Sequence, residues 1–178
     1  LAANALIASG DALAQKDYLP GIASGERIAT LAWSEARSGW DPARVELRAS
    51  RAGDSWTLDG GKTPVTDGAS AGLILVAART DSGVSLFAVE GRAQGLTRSA
   101  IPPLDLTRKL ACLEFAGTPA RLIGAEGGAL PGLERALDLA AGALAAEMVG
   151  GAQACLDLAV EYAKQRIQFG RPIGSLQA

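Results

Sequence analysis

Apolar and polar residues change rhythm along this chain, and each rhythm predicts a different kind of element. From Leu1 to about Glu26 the pattern is helical. Leu1–Ser9 is rich in Ala and Leu, and Gly10 suits the position just past a helix end. Asp11 can cap a second short helix that runs through about Lys16. Leu19-Pro20-Gly21 is expected to end it, because Pro lacks a backbone donor and Gly frees the chain.

From about Arg27 to Gly124 the rhythm is that of strands. Ile28–Trp33, Val45–Ala49, Trp56–Leu58, Leu73–Arg79, Val84–Val89 and Ala111–Phe115 are short runs of strand length. Turn signals fall between them at Gly53-Asp54, Asp59-Gly60-Gly61, Asp67-Gly68 and Asp81-Ser82-Gly83. Val45-Glu46-Leu47-Arg48-Ala49 alternates, as a half-exposed strand does, whereas Leu73–Ala78 is apolar throughout and reads as buried on both faces. Many short strands separated by turns predict an antiparallel sandwich or barrel.

The third rhythm, from about Pro131 to Gln168, is again helical, with Leu133, Leu137, Ala140, Leu144 and Met148 at three- and four-residue spacing. Small residues such as Ala145, Ala146, Gly150, Gly151 and Ala152 would let another helix approach closely. A helix of this length, ~50 Å at 1.5 Å per residue, should reach past a small β-domain and need covering by helices outside this sequence. The fold class expected is therefore α+β: a central antiparallel sandwich or barrel flanked by helices, then one long helix of a helical bundle.

Composition narrows the function. The 178 residues are 48% hydrophobic and 20% charged, the mix of a globular protein, and the formal net charge is −2 with both signs scattered. That argues against nucleic acid as the main partner, since phosphate recognition needs a basic surface. No uninterrupted apolar run approaches the ~20 residues of a membrane span, so no membrane partner is expected. Leu1 as first residue and the absence of a helix stop after Gly174 read as cuts through a longer chain. Cys112 and Cys155 lie far apart with no Cys-x-x-Cys pair, which fits buried thiols in a reducing cytoplasm. There is no histidine, so Ser-His-Asp and Cys-His catalysis and most catalytic zinc sites are excluded within this sequence. Acid–base work would fall to Asp, Glu, Lys, Tyr or a cofactor.

Two glycine-rich stretches invite a phosphate-binding reading and do not support it. Gly60-Gly61-Lys62-Thr63 resembles the end of a P-loop, but Trp56 stands where the leading Gly belongs, and a hairpin turn is the better reading. Gly124–Gly132 lacks the spacing of a dinucleotide fingerprint and reads as a linker. Arg166-Ile167-Gln168-Phe169-Gly170-Arg171-Pro172 is more informative. Its guanidinium groups could hold phosphate, or they could complement a helix C-terminus ahead of a Gly-Pro stop; pattern alone favours the second.

Glu161–Ala178, with its R-x-Q-F-G-R-P-I run at Arg166–Ile173, closely resembles acyl-CoA dehydrogenases at the turn between the first two helices of their C-terminal domain. Lys16–Glu26 resembles the family's entry into its β-domain. Leu31–Asp41 resembles the flavin-contacting strand L-T-E-P-x-x-G-S-D, and Gly61–Gly68 stands at the place of K-x-W-I-T-N-G. The matches are collinear over essentially the whole chain. The resemblance implies the end of an N-terminal helical domain (1–26), a middle β-domain (27–126) and the start of a C-terminal helical domain (127–178). It implies FAD as cofactor, with Trp33 and Ser34 at the flavin's pyrimidine edge, Thr66 near N5, and Arg166, flanked by Gln168 and Phe169, at the FAD diphosphate of a neighbouring subunit. Trp40 replaces the Ser of G-S-D, near cofactor and acyl thioester, so it is the expected substrate contact. Ala36 and Pro64 replace the family's Pro and its flavin-packing Trp.

The resemblance further implies α,β-dehydrogenation of an acyl-CoA thioester to its 2,3-enoyl product, in lipid metabolism such as fatty acid β-oxidation. Electron-transfer flavoprotein is the implied electron acceptor, and a homodimer, homotetramer or heteromer the implied assembly. The usual Glu base would lie beyond Ala178. The alternative position falls near Ala140, and Glu134 and Glu147 lie elsewhere on that helix, so no catalytic residue is assigned within this sequence. A non-catalytic subunit of a heteromeric dehydrogenase and a small β-sandwich binding module are the competing readings.

Overall fold

The structure, a computed structural model, describes residues 1–53 and 55–176. Asp54 of the Gly53-Asp54 turn signal, and Gln177 and Ala178 of the family-like run, lie outside the described residues. Two compact units divide the chain, Leu1–Leu137 and a second beginning at Asp138.

The first unit opens with α1 (Ala2–Ala8) and α2 (Ala12–Ala23). Gly10 takes φ +69° just past α1, and the Asp11 carboxylate caps α2 by accepting from Ala14 N at 2.9 Å. The expected stop at Leu19-Pro20-Gly21 does not occur. Pro20 lies inside α2, which continues to Ala23. One missing donor is tolerated here because Tyr18, Leu19 and Ile22 keep packing against the core on the same helix face.

A seven-stranded sheet follows: β1 (Ala29–Ala32), β2 (Arg48–Ala52), β3 (Ser55–Thr66), β4 (Leu73–Thr80), β5 (Gly83–Glu90), β6 (Leu96–Ile101) and β7 (Leu110–Ile123). The path β4–β2–β3–β7–β5 returns to β4, so the sheet closes into a barrel. Most pairs are antiparallel. The exceptions lie along one edge of β4, where β1 and then β2 pair with it in parallel, the latter through Arg48 and Arg79. Among the described residues, β6 pairs only with β7.

β4 is the wall between two cores, which is why its sequence is apolar from Leu73 to Ala78. Leu73, Leu75 and Ala77 face a cluster with α1 and α2, together with Leu133 and Ala136. Ile74, Val76 and Ala78 face the barrel interior with Trp56, Leu58, Phe87, Leu113 and Phe115. Period-two alternation sends successive side chains to opposite faces.

Two strand readings need correction. Val45–Ala49 was expected as a strand; β2 starts at Arg48 and runs to Ala52. Gly60-Gly61-Lys62-Thr63 was expected as a hairpin turn; it lies inside β3, whose register with β7 shifts between Leu58 and Gly60. There the extra residue lies on β7, where Ala116 and Gly117 oppose Asp59; a second shift, between Lys62 and Val65, puts the extra residue on β3 at Thr63-Pro64. Gly60 takes φ +131°, where an added Cβ would lie 3.3 Å from the Leu47 backbone.

The long helix α3 (Leu130–Gln165) begins in the first unit, where Leu133 and Ala136 are buried, and continues into the second. By length and composition alone it is apolar enough to cross a membrane, with mean hydropathy 1.4 over its best window. The expectation that no stretch qualifies is corrected on this point. Much of that hydropathy comes from Ala interspersed with Leu and Val rather than from one continuous run of large apolar residues. In the second unit α3 ends at Gln165, short of the expected Gln168. β8 (Ile167–Gln168) and β9 (Arg171–Pro172) then form a small antiparallel hairpin. Its two loop residues, Phe169 at φ +53° and Gly170 at φ +75°, take the positive φ that tight hairpin loops demand.

Candidate functional site

The two stretches expected to meet a flavin lie about thirty residues apart in sequence and side by side in the fold. Beyond β1 the chain continues through Trp33 and Ser34, and the end of β3 runs along it. Thr63 N donates to Ser34 O at 2.9 Å, and the Thr30 hydroxyl donates to Thr66 O at 2.6 Å. Trp33 is buried at 8% exposure, while Ser34 is half-buried. The Ser34 hydroxyl has no hydrogen-bond partner among the described residues, nor has the exposed hydroxyl of Thr66. Two unspent hydroxyls on adjoining segments suit a polar ring edge laid against them.

Trp40 stands over this segment. Its ring lies 6.0 Å from that of Trp33, centroid to centroid and tilted by 47°, and is 87% exposed. Pro64 is exposed, follows a cis peptide bond and presents no aromatic surface where the family pattern has Trp. A proline ring cannot stack on a flavin as an indole does.

Behind the segment lies a buried ion pair. Lys62 sits in β3 at 1% exposure, and its Nζ donates to Glu35 Oε1 at 2.6 Å and to Trp33 O at 3.3 Å. The Glu35 carboxylate also accepts from Glu46 N at 2.8 Å and Leu47 N at 3.0 Å. Burial pushes Lys62 down from 10.5 to about 8, against the hydrogen bond and charge of Glu35. Burial would raise Glu35, but the Lys62 hydrogen bond and charge, with the Leu47 and Glu46 amides, outweigh it and hold the carboxyl below its ordinary value. Sequence reasoning did not find this pair. The available signal was an even-numbered position in a strand whose Trp56 and Leu58 face inward, occupied by a lysine.

Arg166, Gln168 and Phe169 belong to the second unit. Arg166 is exposed at the mouth of the β8–β9 hairpin, its amide donating to Tyr162 O and its carbonyl accepting from Ile173 N. Its guanidinium makes no ion pair among the described residues. Gln168 pairs with Arg171, and Phe169 at the hairpin tip is 91% exposed. The described residues hold no cluster of His, Cys, Asp and Glu able to bind a metal ion. A cavity of about 500 Å³ lined by Arg27, Ser70, Glu90, Arg92 and Arg98 contains none of the expected site residues.

Residues 30–115 match the acyl-CoA dehydrogenase middle domain, and residues 131–178 match the acyl-CoA dehydrogenase C-terminal domain. The chain belongs to the acyl-CoA dehydrogenase family. It is 35% identical over 187 residues to the mitochondrial isovaleryl-CoA dehydrogenase of Oryza sativa subsp. japonica, covering 99% of this chain and 46% of that protein. Among solved structures, glutaryl-CoA dehydrogenase from Mycobacterium smegmatis is 38% identical with a TM-score of 0.84, covering 99% of this chain and 47% of that one. Butyryl-CoA dehydrogenase from Megasphaera elsdenii is 28% identical with a TM-score of 0.92, covering 99% and 49%. The chain thus spans about half the length of the relatives it matches. Acyl-CoA dehydrogenase middle-domain residues include both stretches of the candidate site, and the C-terminal-domain match includes Arg166, Gln168 and Phe169.

Proposed function

We propose that this chain is part of an FAD-dependent acyl-CoA dehydrogenase that converts an acyl-CoA thioester to its 2,3-enoyl-CoA. The observation that carries the reading is the hydrogen-bonded meeting of Trp33-Ser34 with Thr63–Thr66, which leaves the hydroxyls of Ser34 and Thr66 free. Bound FAD supplies the acceptor for the hydride leaving the β-carbon. The chain's own residues shape the place where this happens. Ser34 offers a hydroxyl to the pyrimidine edge of the ring, and the Trp33 backbone lines the same edge. Thr66 offers a hydroxyl near N5, where a donor favours the reduced ring. Trp40 stands where the acyl thioester must pass, and its exposed indole supplies apolar surface to an acyl group. Arg166 reaches the diphosphate of FAD on a neighbouring copy, with Gln168 and Phe169 beside it. No described residue is assigned the role of α-proton base.

In this reading residues 1–26, 27–126 and 127–178 are parts of three successive domains. The partners are an acyl-CoA, an electron-transfer flavoprotein as acceptor, and further copies or a related subunit. Cys112 is half-buried and Cys155 exposed, not buried as expected, and as free thiols they suit a cytoplasmic setting. Pro64 supports a second reading, in which the parent is a subunit of a heteromeric dehydrogenase that binds FAD weakly and does not turn over.

One experiment separates the readings. The full-length protein, purified and supplied with FAD, is expected to show flavin absorption bands that bleach anaerobically on adding a branched or short acyl-CoA. Bands without bleaching by any acyl-CoA favour the non-catalytic subunit. No bands after FAD addition overturn the flavoprotein reading altogether.

A further inference from the structure

We propose that Glu35 and Lys62 are a positioning pair that holds the Trp33-Ser34 backbone against the flavin edge, an inference that rests on the flavin reading above. A buried ion pair is a poor source of net stability, because desolvation of the two charges offsets most of their attraction. What it supplies here is direction. Lys62 Nζ ties the Trp33 carbonyl to β3, and the neighbouring Thr63 amide ties the Ser34 carbonyl to the same strand. The Glu35 carboxylate grips the chain on the other side through the amides of Glu46 and Leu47. The Ser38 hydroxyl, itself buried, closes the turn by accepting from Glu35 N at 3.1 Å. Residues 33–35 are therefore fastened to two separate segments, and the Ser34 hydroxyl is the polar group left over. An apolar pair of similar volume could fill the space, but it could not reach a carbonyl on one side and two amides on the other. A hydrogen bond to a ring edge depends on the donor's placement to a fraction of an ångström, so a clamp behind Ser34 acts on the ring without touching it.

The test uses the full-length protein with Glu35→Gln, Lys62→Met and both together. Amide hydrogen exchange at Glu46, Leu47 and Thr63 is expected to quicken about tenfold or more, with Phe87 in β5 as an unaffected control. FAD dissociation constants should rise about tenfold, with a displaced visible band, while urea midpoints report that each variant is folded. The double variant should be no worse than Lys62→Met alone, since a pair acting as a unit is lost once. Glu35→Gln keeps shape and carries the test if Lys62→Met fails to fold. Unchanged exchange at the three amides in a folded variant overturns the clamp. Quickened exchange with an unchanged flavin band and affinity overturns its role at the ring. A wild type that never takes up FAD overturns the flavin reading, and exchange alone then decides whether the clamp exists.

Discussion

Lys62 and Glu35 make the fold sensitive to pH in a way that can be worked out from their two shifts. Glu35 is held below its ordinary 4.5, so between its folded value and 4.5 the unfolded chain binds more protons than the folded one. Its contribution is fully present above 4.5 and is lost as pH falls through the folded value. Lys62 titrates at about 8 when folded and at 10.5 when free. Over that window too the unfolded chain binds more protons, so stability rises with pH from about 8 to 10.5 as burial of the charge is relieved. The two effects have the same sign and leave a plateau between them. We predict that the urea midpoint of the wild type climbs across the alkaline window and that the climb is smaller in Lys62→Met. An equal climb in both would show that Lys62 is not the titrating group.

Among the strands, those read most fully from the sequence carry long apolar runs that face the two cores. β4 was read from its unbroken apolar run, and its burial on both faces follows from two cores meeting at it. β3 was read short because Gly60-Gly61 and Pro64 look like punctuation; in the sheet the two glycines pair with Phe115 and Glu114 of β7, and Pro64 lies in the register shift between Lys62 and Val65. β6 escaped notice because it pairs only with β7 and its Thr97, Ser99 and Ala100 are exposed, so no apolar rhythm marks it. The candidate site was legible only as motif. Nothing in the local pattern links Lys62 to a carboxylate 27 residues away; only closure of the barrel does. Helix α2 offers the clearest test of local rule against tertiary packing. Pro20 removes one intrahelical donor, so Pro20→Ala should restore a bond to the Lys16 carbonyl and raise stability by about 1–2 kcal/mol. Thermal unfolding would measure it, and a lower midpoint would mean that the proline stabilises chiefly by restricting the unfolded chain.

At the scale of the whole molecule, the proposed function assigns the FAD site to two copies of this chain. In that reading Ser34 and Thr66 face the ring, while Arg166 is assigned to the diphosphate held by a neighbouring subunit. The structure of the second unit suits that role on two counts. The β8–β9 hairpin fixes Arg166 at its mouth through backbone bonds to Tyr162 and Ile173, so the backbone is ordered before any ligand arrives. The guanidinium itself is exposed and makes no ion pair among the described residues, so a diphosphate would not have to displace a carboxylate. If FAD is gripped by two copies, its binding and the assembly of subunits are linked, and each must strengthen the other. Charge-assisted bonds to a phosphate contribute about 1.5–3 kcal/mol, so Arg166→Ala should weaken FAD retention by about tenfold or more. The same linkage predicts that wild-type FAD affinity falls on dilution through the range where oligomers separate, as read by flavin fluorescence alongside sedimentation. In Arg166→Ala that dependence on protein concentration should flatten, because the contact made across the interface is gone. An affinity that ignores both the substitution and the dilution would place the whole of the FAD contact within a single copy, and Arg166 would then be a surface residue of the hairpin.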